Sequence, residues 1–91
     1  MDKIWESIIF RALRGEKNVP SPFAKDGVIE SLFVVVKEQG TTKLGYGFLW
    51  CSVTFRGIHL SRMEVPDYLH PVTIDELKNI KLPDIKFEHL K

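Results

Sequence analysis

Apolar residues recur near the start of the chain at spacings of three and four: Ile4, Trp5, Ile8, Ile9, Ala12 and Leu13. That period gathers them on one stripe of a helix, predicted over Lys3 to Arg14. Asp2 can cap the free amides at its start, Gly15 can close its end in the left-handed conformation, and Arg11 and Arg14 sit at the negative end of its dipole. Glu16 to Lys25 reads as a connector, because Pro20 and Pro22 exclude a regular helix and hold the residues before them extended. Within it, Ser21-Pro22 can open one short helical turn, and Phe23 can anchor the loop to the core.

Val28 to Gln39 carries two patterns at once. As a helix it has Asp26 as N-cap and Gly40 as stop, with Ile29, Leu32, Phe33 and Val36 on one face. As a strand it has the β-forming run Leu32-Phe33-Val34-Val35-Val36, followed by a Gly-Thr-Thr-Lys loop that suits a hairpin. The two caps, a helix length apart, favour the helix. Leu44 to Phe55 is a strand apolar on both faces, Tyr46, Phe48 and Trp50 against Leu49, Cys51, Val53 and Phe55, which suits a covered central position. Gly45 and Gly47 mark a bend or bulge at its start. Arg56-Gly57 then offers a hairpin turn into a return strand, Ile58 to Val65. The alternative there is a short helix capped by Thr54 and running through Ile58, His59 and Arg62.

Pro66 and Pro71 bracket a loop. Thr73 with Glu76 forms a capping-box pattern, predicting a helix from Ile74 to about Lys81 that Pro83 ends. The tail from Asp84 to Lys91 keeps Ile85, Phe87 and Leu90, so it packs on this chain or on a partner.

At 91 residues the chain supports one domain, 1–91, with a single core. Thirteen Lys and Arg against twelve Asp and Glu give a net charge of +1. Bulk coating of nucleic acid is thereby disfavoured, while a local basic face stays open. Cys51 is the only cysteine, which excludes an intramolecular disulfide framework and points to a reducing, cytoplasmic setting. No apolar run approaches a membrane span, and the charged N-terminal segment does not read as a signal peptide.

Motifs for chemistry are few. His59, His70 and His89 lack zinc-ligand spacing, so no metal and no cofactor are expected. Gly45-Tyr46-Gly47 has Trp50 where a dinucleotide loop needs its third glycine. Cys51, on a strand between Leu49 and Val53, reads as a small core residue rather than a nucleophile. Glu64, Asp67 and Tyr68 read as a solvated turn. No catalytic residue is assigned, and the chain is expected not to be an enzyme. The functional candidate is the stretch from Gln39 to Met63, which holds no Asp or Glu. There Tyr46, Phe48 and Trp50 share a face on which bases can stack, with His59 nearby, while Lys43, Arg56 and Arg62 neutralise phosphates. The same rings also suit the core of a small sheet.

A capped helix, a proline connector, a segment ending Glu38-Gln39-Gly40 and a strand entering Val53-Thr54-Phe55-Arg56-Gly57-Ile58-His59-Leu60 together resemble a winged-helix (winged helix-turn-helix) domain. The resemblance spans about Lys3 to Met63 and rests on Ile29 to Gly40 and Val53 to Leu60. It implies that Val28 to Gln39 is a third helix aimed at the major groove and that a wing bearing Lys43, Arg56 and Arg62 touches the backbone. Glu30, Glu38 and Val34 on that helix depart from the family's pattern.

The expected fold is therefore an α+β single domain, winged-helix-like, with helices and a small antiparallel sheet. The alternative is a helix packed on a three-stranded antiparallel meander (Leu32 to Lys37, Leu44 to Phe55, Ile58 to Val65) with a C-terminal helix. The expected function is a small non-enzymatic regulator or accessory protein that contacts DNA with Lys43, Tyr46, Trp50, Arg56, His59 and Arg62. The alternative is a protein-interaction module, homodimeric or with another protein, that binds no nucleic acid. No membrane partner is expected.

Overall fold

The computed structural model describes residues 3–88. Helix α1 runs Lys3–Leu13 and turns Trp5, Ile8 and Ala12 inward, on the stripe that the apolar spacing predicts. Gly15, at φ 82, ends it by donating its amide to the Ala12 carbonyl at 3.0 Å. Asp2, expected as its cap, lies outside the described residues.

Three long strands follow: β1 Ile29–Gln39, β2 Thr42–Cys51 and β3 Arg56–Glu64. They pair as an antiparallel meander. Val28 to Gln39 is thus a strand, and the helix preferred from its two caps does not form. The reason lies in both composition and ends. Its valine run is stiff at χ1 and suits a pleated surface better than a helix. Asp26, at φ 63, sits in a turn, and Gly40, at φ 61, opens a two-residue hairpin loop between Gln39 and Thr42. The left-handed glycine that can stop a helix serves equally well to reverse a strand.

The other boundaries shift for local reasons. β2 ends at Cys51 rather than Phe55, because the Phe55 amide turns back to the Cys51 carbonyl at 3.0 Å with Phe55 at φ 61. The turn is therefore Ser52 to Phe55, Arg56-Gly57 already belongs to β3, and the alternative Thr54-capped helix is absent. Ser21 accepts the Phe23 amide at 3.1 Å in a turn rather than starting a helix.

The sheet is mixed, with strand order β4-β1-β2-β3-β5. The short strands β4 (Val72–Thr73) and β5 (Lys86–Phe87) add in parallel to opposite edges, on β1 and β3. Between them, α2 covers only Ile74–Leu77 instead of reaching Lys81. Its capping box forms as expected: Glu76 N–H donates to Thr73 Oγ1 and Thr73 N–H to Glu76 Oε1, each at 3.1 Å. A 3-10 turn, Asp67–Leu69, lies within the proline-bracketed loop.

The core lies between α1 and one sheet face, where Trp5, Ile8, Val19, Phe33, Leu49 and Ile58 are buried with Cys51. Phe23 anchors the connector as expected, its ring centroid 5.1 Å from that of Trp5. The tail packs on this chain as far as Glu88; Leu90 lies outside the described residues.

Candidate functional site

Strand alternation decides which side chains leave the core. With Leu49 and Cys51 inward, Tyr46, Phe48 and Trp50 share the opposite face. Their register partners on β1 are Val34, Leu32 and Glu30. On β3, His59 lies opposite Phe48 and Gly57 opposite Trp50. The result is an aromatic patch: His59 stacks on Phe48 with centroids 5.2 Å apart, Tyr46 meets both rings edge-on at 5.5 Å, and Phe87 reaches Phe48 at 5.7 Å. Phe87 is 47% exposed. At the other end of the face, Ile85 fills the space above Gly57 beside Trp50, so Trp50 is half-buried and separate from the ring cluster.

Two irregularities open this face toward the β1–β2 hairpin. The β1–β2 register shifts between Val35 and Lys37, leaving Val36 out of the ladder and 55% exposed. On β3, Ser61 and Arg62 together oppose Tyr46, a bulge that places Arg62 at φ 53. Between the two bulges lies a groove of about 450 Å³. Val36, Leu44 and Tyr46 give it apolar walls, and Lys37, His59 and Arg62 bring its polar ends. Val36 and Leu44 were not singled out as site residues by sequence; the only signal near them was the break in alternation at Val34-Val35-Val36.

The six residues expected to form one basic and aromatic surface are divided by the fold. Tyr46, His59 and Arg62 meet at the groove. Lys43 binds Asp67 at 2.7 Å and approaches Glu38 at 3.8 Å, and the Asp67 contact holds its amine above its ordinary value. Arg56 lies past the far end of the face, where its guanidinium grips Glu88 through Nε at 2.6 Å and Nη2 at 3.0 Å. The same group lies over the Phe23 ring, 4.1 Å from its centroid. Glu88 also accepts from the Trp5 indole at 3.4 Å. The hydrogen bonds from Arg56 first, and from Trp5, hold the Glu88 carboxyl below its ordinary value, against the opposing effect of burial. Lys43 and Arg56 thus each face a carboxylate of the same chain. Among the described residues, neither Lys37 nor Arg62 makes an ion pair.

Cys51 has no exposed surface. Burial pushes its thiol up, but the Ser21 hydroxyl donating to Sγ at 3.0 Å and the Thr54 amide at 3.5 Å outweigh that and bring it to about 7. Among the described residues no group of three or more His, Cys, Asp or Glu is placed to hold a metal ion. His89 lies outside them. No helix among them is long and apolar enough to cross a membrane.

Fold and face together define a small α+β domain with a helix on one side of its sheet and a partly open aromatic groove on the other. Comparison with protein-family models, with curated proteins and with solved structures finds no match.

Proposed function

We propose that the chain is a small non-enzymatic binding module that meets a protein partner through the open sheet face. The observation that supports this over nucleic-acid contact is the commitment of Lys43 and Arg56 to carboxylates of the same chain. A phosphate would have to displace Asp67 or Glu88 to reach them. What the face offers instead is contiguous partly exposed apolar surface from Val36 through Tyr46 and Phe48 to Phe87, the kind of patch that marks association sites.

Nucleic-acid contact is kept as a second reading on one specific observation: Arg62, which makes no ion pair among the described residues, lies beside the ring pair Tyr46 and His59. Stacking plus one or two phosphate contacts is the minimal chemistry of single-strand binding. The winged-helix resemblance attaches to this reading through the β2–β3 hairpin as a wing, without a helix at Val28 to Gln39.

Photo-crosslinking discriminates the two. A photoreactive amino acid is placed at Val36 on the open face, with a control at exposed Phe10 on α1. A discrete adduct at position 36 that survives nuclease and is absent at position 10 is expected. An adduct removed by nuclease supports the second reading, and equal labelling at both positions overturns the proposal.

A further inference from the structure

We propose that the groove between the two strand bulges is a binding site for a small amphiphilic carboxylate, an apolar tail ending in one anionic group. The inference does not depend on which macromolecule meets the face, because it follows from the lining alone. Val36, Leu44 and Tyr46 supply apolar walls, and the charged side chains that line the groove, Lys37 and Arg62, are both cationic. Its volume of about 450 Å³ lies in the range of small-molecule pockets, about 300–1,000 Å³.

The charge pattern selects the anion. Lys37 stands opposite Leu44, and Leu44 opposite Glu64, so Glu64 shares their cross-strand row; it does not line the groove. Glu38 alternates away and faces Lys43. A carboxylate here gains two donors that spend no existing ion pair, and Arg62 can engage it with two parallel N–H groups. The tail then covers Val36, which is 55% exposed in the chain alone. Both cations are delivered by irregular backbone: Lys37 follows the β1 shift, and Arg62 occupies a left-handed position that costs a non-glycine residue about 1 kcal/mol or more.

The test is an NMR titration of the purified protein with octanoate, below its micellar range, against octanol and octylammonium. Octanoate is expected to shift amides of Val36, Leu44, Gly45, Tyr46 and Ser61 and to bind several-fold tighter than octanol, with octylammonium weakest. Arg62→Gln and Lys37→Gln are each expected to bring octanoate toward the octanol affinity while leaving octanol unchanged. Retained dispersion of the spectra confirms that each variant is folded, and the neutral comparison within wild-type protein stands even if one is not. Equal binding of the three ligands overturns the proposal, as do shifts centred on the Phe10 side of α1.

Discussion

At the residue scale, the most closely approached glycine is one that the sequence marks only as a bend. A Cβ on Gly45 would lie 1.7 Å from the Val34 carbonyl oxygen and 2.8 Å from its carbon, and neither can move without separating β1 from β2. Gly45→Ala is expected to destabilise by about 3 kcal/mol or more, at the upper end of overpacking effects. Gly40→Ala meets no atom within 4 Å, and its only penalty is the left-handed φ of 61, about 1 kcal/mol. Urea unfolding of the two variants should show that difference; similar losses would mean that the β1–β2 approach relaxes around the added methyl at little cost. Cys51 gives a second residue-level expectation. Its thiol comes down to about 7 yet is fully enclosed, so access rather than ionisation limits its chemistry. Iodoacetamide should label it slowly in the native protein at pH 8 and rapidly in denaturant. Fast native labelling would show that the Ser21–Cys51 wall opens readily.

At the scale of elements, the chain was legible where one local pattern had a single solution. The α1 stripe and the Thr73 capping box formed because each needs only neighbours in sequence, and β2 was legible because a run apolar on both faces suits a strand paired on both sides. Val28 to Gln39 was not legible, because Asp26 and Gly40 are turn residues that serve both readings, and only the ladder with β2 decides between them. Strand β5 left even less trace: two residues, Lys86 and Phe87, join the sheet because the Arg56–Glu88 pair and the Trp5 indole hold the chain there. That clasp carries a pH signature. Glu88 is held below its ordinary 4.5, so its contribution is present above that value and is lost as pH falls through the folded pKa. Thermal unfolding should therefore show the wild type losing stability toward acid more steeply than Glu88→Gln, whose curve starts lower at neutral pH, so that the two converge below about pH 4.5. Parallel curves would mean that the clasp adds nothing to folding.

For the whole molecule, the six-residue surface expected from sequence fails as a unit because sequence distance hides ion pairing. Nothing local to Lys43 or Arg56 announces Asp67, 24 positions on, or Glu88, 32 positions on. Of the three cations in that expected set, Arg62 alone makes no ion pair among the described residues. This separates two substitutions that look equivalent in the sequence. Arg56→Ala removes a bidentate pair and the cation over Phe23, so it should lower stability, whereas Arg62→Ala removes no internal partner. A salt titration with fluorescent duplex and single-stranded DNA reads the consequence. With a protein partner as the function, binding is expected to be absent or very weak even at low ionic strength, and unaltered by either substitution. Measurable affinity that falls steeply with salt, with a slope reduced by about one in Arg62→Ala and unchanged in Arg56→Ala, would instead establish the aromatic face as a nucleic-acid surface. Within the expected set the nucleic-acid reading thus turns on Arg62, because Lys43 and Arg56 already face carboxylates of the same chain.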